Sequence, residues 1–130
     1  MVPKVILLAE DNPDDAFIFQ TMFKRARLPH LLHRVEDGQE AIVWLSGEGK
    51  YANRDQYPLP GLLLLDLKMP IKTGFEVMEW LRTQKQFKAL PIVILSSSEE
   101  TADVKRATEL GAAKYFLKST TFQDVIQYLS

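Results

Sequence analysis

At 130 residues, 46% of them hydrophobic and 25% charged, the chain has the size and apolar content of one globular domain with a real core, and too little length for two. A net charge of -1 excludes any global pull toward nucleic acid or acidic membranes, and the absence of cysteine excludes a disulfide framework or a thiolate metal site. With no secretory leader pattern and no apolar run of bilayer length, the expectation is a single cytoplasmic domain over residues 1–130.

Along the chain, Lys4 to Ala9 (KVILLA) reads as a buried strand. Asn12-Pro13-Asp14-Asp15 then has a helix-start pattern: a cap residue, proline at the first position and acids in the first turn. That helix is predicted to run to about Leu28, with Phe19, Met22, Phe23 and Ala26 spaced to face a core. Leu31 to Val35 is a second, weaker strand, and Asp37-Gly38-Gln39-Glu40 resembles a capping box opening a short helix through Leu45. Ser46 to Pro60 has turn residues and no periodicity, which predicts a surface loop.

Gly61 to Asp66 is the third strand. Its four leucines run without polar alternation, which is the pattern of a strand covered on both faces in a parallel sheet. Thr73 to Glu76 again has capping-box spacing and starts a helix with Phe75, Met78 and Leu81 on one side. Pro91 to Ser96 is a fourth strand, Glu99 to Leu110 a fourth helix closed by Gly111, Lys114 to Lys118 a fifth strand and Thr121 to Leu129 a last helix. Five strands alternating with five helices through short loops predict an α/β, doubly wound parallel sheet.

In such sheets ligands bind beyond the carboxyl ends of the strands, near the point where strand order reverses. The first strand ends in Glu10-Asp11, the third in Asp66, the fourth in Ser96-Ser97 and the fifth in Lys118. Three carboxylates brought together repel unless a cation sits among them, and hard oxygen ligands on loops suit Mg²⁺. A carboxylate beside Mg²⁺ is equipped to attack phosphorus and form an aspartyl phosphate, with a lysine and a hydroxyl holding the remaining phosphoryl oxygens.

The segments LLAEDNPDD, LLLLDLKMPIKTG, IVILSSSEE and YFLKS closely resemble, in order and over essentially the whole chain, the signature segments of response-regulator receiver domains. The resemblance implies the flavodoxin-like (βα)5 fold with strand order 2-1-3-4-5. It implies Asp66 as phospho-acceptor, Glu10 and Asp11 as the acidic pair at a Mg²⁺ site, and the backbone carbonyl of Lys68 as a further ligand. Ser96 matches the switch hydroxyl, Lys118 the site lysine and Tyr115 the aromatic that follows the switch, while Met69, Pro70 and Gly74 match the loop after the acceptor. Lys68 and Ser98 occupy the positions expected to tune phosphate lifetime. GEGKYANR, around Gly47 to Tyr57, resembles the stand-alone receivers found with phytochrome-type kinases.

The implied partners are a sensor histidine kinase or histidine phosphotransfer protein as donor and an effector protein as target, with no nucleic acid and no membrane. The protein would be a monomer or a phosphorylation-linked homodimer, catalysing only its own modification. Signal would leave through the surface of the fourth helix, fifth strand and fifth helix, where Lys105, Arg106 and Glu109 lie.

One position departs from the pattern. Receivers typically follow the lysine with proline through a cis bond, whereas Lys118 precedes Ser119, and a cis bond before a non-proline residue costs about 2.5 to 4 kcal/mol. The reading here is that surrounding contacts retain the cis bond. If this loop disables the site, the alternative is a pseudo-receiver, a protein-binding module independent of phosphorylation. Two rivals fit less well: AEDNPDD would repel the phosphate of a flavin carrier, and a dehalogenase-type phosphohydrolase needs an acid where Lys68 stands.

Several candidates also have purely structural explanations. Asp14 and Asp15 read as first-turn helix acids rather than metal ligands, and Glu10 and Asp11 as cap-side acids were it not for their convergence with Asp66. Ser97 and Ser98 read as caps for the fourth helix, with Glu100 in capping-box spacing from Ser97. His30 and His33 lie outside the site and receive no role.

Overall fold

The computed structural model describes residues 3–118 and 122–130. Five parallel strands, β1 (Val5–Ala9), β2 (Leu31–Val35), β3 (Leu62–Leu65), β4 (Ile92–Ser96) and β5 (Lys114–Leu117), form one sheet in the order β2-β1-β3-β4-β5. They alternate with α1 (Pro13–Arg25), α2 (Gly38–Ser46), α3 (Gly74–Arg82), α4 (Thr101–Glu109) and α5 (Gln123–Leu129). The fold is the doubly wound, flavodoxin-like sheet that the alternation predicts, and its order reverses between β1 and β3.

The unbroken leucines of β3 have a simple reason. Leu63 and Leu65 join Leu7, Ala9, Ile94, Val77, Met78 and Leu81 in one core layer, under α2 and α3. Leu62 and Leu64 point the other way, into a second layer with Ile6, Leu8, Val93, Leu95, Phe19 and Ile126 under α1 and α5. Each such leucine contributes about 2 kcal/mol relative to an exposed one. With both faces dry, only the strand end is left for a polar group.

Helix ends follow local chemistry. Asn12 caps α1 by accepting from the backbone N–H groups of Asp14 and Asp15, with Pro13 in the first turn. Thr73 and Glu76 complete a reciprocal capping box on α3. At α2 only half of the expected box forms: Asp37 accepts from the Glu40 N–H, while the Glu40 carboxylate reaches past it to the Glu36 N–H and the Tyr51 hydroxyl.

Three predicted elements shift in a boundary or a face. Helix α1 ends at Arg25, leaving Ala26 exposed as its C-cap, and Arg27 turns the chain at φ +52°. On α3 the buried face is Gly74, Val77, Met78 and Leu81, with Phe75 only partly buried beneath the Arg106 guanidinium, 4.4 Å from its ring centre. Helix α4 starts at Thr101 after Glu100, which makes no side-chain cap; Ser97 does not cap it, and the Ser98 hydroxyl takes the Glu100 N–H instead. Thr121, the predicted start of the last helix, and the Lys118-Ser119 bond that the sequence reading makes cis lie outside the described residues.

The segment from Ser46 to Pro60 is more than a surface loop. A 3₁₀ turn over Gly49–Ala52 buries Tyr51 against Trp44 and Tyr57, with ring centres 4.9 to 5.3 Å apart. The Arg54 guanidinium donates to the carbonyls of Trp44, Leu45 and Tyr57, covering the orphan carbonyls at the end of α2. Two rings set six residues apart in a polar segment, Tyr51 and Tyr57, carry no helical or strand period, so their packing on Trp44 of α2 is invisible to a periodicity argument.

Candidate functional site

The sheet brings Glu10, Asp11, Asp66, Ser96 and Lys118 to one rim because parallel strands in register end together. The Glu10 N–H donates to the Val35 carbonyl, the Asp66 N–H to the Ala9 carbonyl and the Lys118 N–H to the Ser96 carbonyl, so each residue extends the ladder by one bond past its strand. Glu10 and Asp66 are 2% and 5% exposed, and Ser96 is fully buried. One oxygen each from Glu10, Asp11 and Asp66 lies within 4.8 Å of the others.

Lys118 is the counter-charge. Its ammonium lies 2.7 Å from Glu10 Oε1, 3.0 Å from Asp66 Oδ2 and 3.0 Å from Asp15 Oδ2. Burial alone would lower the Lys118 pKa, but hydrogen bonding and charge from the three carboxylates outweigh it and hold the ammonium above its ordinary value. Glu10 moves the other way for an acid. Burial, reinforced by the Asp66 charge, pushes it up to about 7 against the pull of Lys118 and the Asn12 N–H. A buried carboxylate that one lysine leaves partly unneutralised is a position suited to a further cation.

Asp15 therefore does more than favour the helix start, and its contact with Lys118 is absent from the sequence reading. Arg34 is also missed. From β2 its Nε and Nη2 donate to the Glu10 carbonyl at 3.0 and 2.9 Å, bracing the acidic pair from behind. An arginine in a weak strand carries no local signal of that role; only the β1–β2 register, which sets Leu8 opposite Arg34, puts it there.

The loop after Asp66 is tightly folded. The Lys68 N–H makes a long contact, 3.5 Å, with Asp66 Oδ1, and Met69 is buried. The Lys72 N–H closes on the Pro70 carbonyl at 2.7 Å around Ile71, which sits at φ +69° with its side chain 74% exposed. A β-branched residue is strained there. Gly74 is required by close approach: a Cβ would lie 2.2 Å from the Asp66 carbonyl oxygen, so any larger residue would push α3 away from the strand end.

At the opposite side of the rim, Ser96 Oγ accepts from the Ser98 N–H at 3.2 Å. The buried Ser98 hydroxyl donates to Asp103 at 2.6 Å, and the Ser98 carbonyl accepts from the Tyr115 hydroxyl at 2.8 Å. Burial raises the Tyr115 pKa, and hydrogen bonding with Ser96 and Ser98 opposes it. On the surface beyond, Arg106 pairs with Glu79 at 2.6 Å.

His30 lies far from this rim. Its Nδ1 accepts from the Lys4 N–H, and its Nε2 is 2.9 Å from the Leu129 carbonyl, which fixes the Nε2–H tautomer and ties α5 to the start of β1. His33 packs on Trp44 with its Nε2 buried, and burial lowers its pKa.

A doubly wound sheet that gathers three carboxylates and a lysine beyond the carboxyl ends of its strands has the place and the donor set of an ion-assisted site, and comparison with known proteins says to which family it belongs. The response regulator receiver domain family matches residues 6–130, and the chain belongs to that family. Response regulator Rcp1 of Synechocystis sp. is 36% identical over 125 residues, covering 96% of this chain and 83% of that protein. The crystal structure of Mn²⁺-bound Rcp1 superposes with a TM-score of 0.84 at 35% identity, covering 98% of this chain and 89% of that one. The phosphorylated cyanobacterial phytochrome response regulator RcpA superposes at 0.85 with 34% identity and the same coverage. The response regulator RPA3017, in red light signalling of R. palustris, gives 0.86 with 30% identity, again covering 98% and 89%. The protein is thus a receiver domain of two-component signalling, and no described helix is long and apolar enough to cross a membrane.

Proposed function

We propose that Asp66 accepts a phosphoryl group from the phosphohistidine of a sensor kinase or a histidine phosphotransfer protein. The observation that carries this reading is the convergence of Glu10, Asp11 and Asp66 on one rim with the Lys118 ammonium 3.0 Å from Asp66 Oδ2. An Asp66 oxygen attacks phosphorus, the bond to the histidine nitrogen breaks, and the imidazole leaves with its electron pair. Lys118 then holds a phosphoryl oxygen.

The hard oxygen set of Glu10, Asp11 and Asp66 fits Mg²⁺, and these residues with the Lys68 backbone carbonyl would hold the ion. When bound, the ion supplies charge neutralisation for the transferred group. Ser96 turns its hydroxyl toward the phosphoryl group, Tyr115 follows, and the α4–β5–α5 surface passes the change to an effector protein or a second copy. Lys68, exposed beside the acceptor, and Ser98, one bond from Ser96, tune phosphate lifetime. The likeness to RcpA, a cyanobacterial phytochrome response regulator, supports a phytochrome-type kinase as the donor.

The test is intact mass after incubation with acetyl phosphate, with and without Mg²⁺, beside Asp66→Asn. The expected result is a gain of one phosphoryl group that needs both the ion and Asp66. No gain in the folded protein would replace this reading with the pseudo-receiver.

A further inference from the structure

Asp15 lies outside the set of residues to which the proposed chemistry gives a part, yet it takes one of the three closest positions around Lys118 Nζ. An ammonium has three N–H donors. Among the described residues, carboxylates of Glu10, Asp66 and Asp15 sit at 2.7, 3.0 and 3.0 Å, as many acceptors as the group can serve. Two of those partners have competing duties in the reaction. Asp66 gives up an oxygen to the new bond with phosphorus, and Glu10 would share its carboxylate with the cation. Asp15 has neither duty.

Its own position is well fixed. Its N–H donates to the Asn12 side chain at 3.1 Å, Pro13 opens the helix, and the next residue, Ala16, is buried against the core. The contact ties the first turn of α1 to the end of β5, across 103 residues of chain.

We infer that Asp15 is a positioning residue for phosphoryl transfer, the fixed post that keeps the Lys118 ammonium at the rim while Asp66 and Glu10 change partners. The inference rests on Asp66 being the acceptor. It gives Asp15 no contact with the phosphoryl group and no place among the metal ligands; it acts through Lys118 alone. Asp14 is the internal control, since it carries the same charge in the same helical turn, where the macrodipole rewards both alike, and no described contact of Asp14 reaches Lys118.

The experiment follows phosphorylation by acetyl phosphate with Mg²⁺, as intact mass against time and donor concentration. It uses the whole chain carrying Asp15→Asn, Asp15→Glu, Asp14→Asn, Lys118→Met, and Asp15→Asn combined with Lys118→Met, each checked for folding by circular dichroism. Asp15→Asn is expected to slow the limiting rate on the order of 10-fold, short of the roughly 100-fold that a 1 Å displacement of a reacting group can cost, with little change in the half-saturating donor concentration. Asp14→Asn should stay within about twofold of the natural chain, and Asp15→Glu should recover part of the loss. In the Lys118→Met background, Asp15→Asn should cost nothing further, because two residues acting through one contact are not additive. Asp15→Asn as fast as Asp14→Asn, or equally damaging with and without Lys118, overturns the inference and leaves the acceptor reading intact. A natural chain that gains no mass overturns the acceptor reading, and the role of Asp15 falls with it.

Discussion

Trp44 and Tyr51 in the aromatic patch are 4% and 6% exposed; Glu10 and Asp66 at the acidic rim are 2% and 5% exposed. The depth is the same and the chemistry opposite. In the patch each named polar tip is matched: the Trp44 indole donates to the Pro58 carbonyl at 3.0 Å, the Tyr51 hydroxyl to Glu40 at 3.0 Å, and Arg54 covers the end of α2. At the rim, buried and half-buried carboxylates crowd one ammonium, and Glu10 is held so far from its ordinary range that it titrates near neutrality. Burial of rings adds stability. Burial of excess like charge costs stability and persists where the charge has a use. The two regions separate what holds this receiver together from what it is proposed to do.

The largest effect should come from Asp66→Asn, which removes the nucleophile from the rim. All phosphoryl gain disappears in the mass spectrum, while circular dichroism and melting show the fold retained. Trp44→Ala should do the reverse. Urea unfolding is expected to show a loss of about 3 to 5 kcal/mol, as for other large core truncations, with phosphorylation kept by the folded fraction. A Trp44→Ala protein that is fully stable but no longer phosphorylated would break the separation.

The third test uses proton linkage at the rim. Glu10 is raised from 4.5 to about 7 in the folded chain, so between those values the native state holds a proton that the unfolded state has released. Its contribution to stability is complete below 4.5 and is lost as pH rises through about 7. Melting in chelator across that range should show this component falling with pH. Saturating Mg²⁺, which requires the ionised carboxylate, should stabilise more at the upper end than at the lower. A Mg²⁺ stabilisation independent of pH would mean that Glu10 is not a ligand.

The smallest effect belongs to the strained turn. Ile71 holds φ +69° with an exposed side chain, so Ile71→Gly exchanges about 1 to 2 kcal/mol of backbone strain for about 0.5 to 1 kcal/mol of unfolded-state entropy. The expected net is a gain of at most about 1.5 kcal/mol in urea unfolding, and a loss would show that Ile71 packs against something that offsets its strain.

Much of this molecule is legible in the amino-acid sequence, because the relevant physics is local. Four unbroken leucines ending in Asp66 require a two-sided cover. Asn12-Pro13 and Thr73 with Glu76 satisfy orphan N–H groups within four residues of themselves, and the structure repeats both. Strand ends follow from where each apolar run stops, which is why the sequence alone sets Glu10, Asp66, Ser96 and Lys118 on one rim.

What only the tertiary structure decided depends on distances across elements. Asp15 reads as a helix-start acid until β5 delivers Lys118 to it, Arg34 has no meaning until the register sets it behind Glu10, and Ser46 to Pro60 reads as a loop until Tyr51 meets Trp44. Capping and periodicity are written in neighbouring residues. A contact between residues as far apart as Asp15 and Lys118 comes into being only when the sheet closes, and so does the part we infer for Asp15.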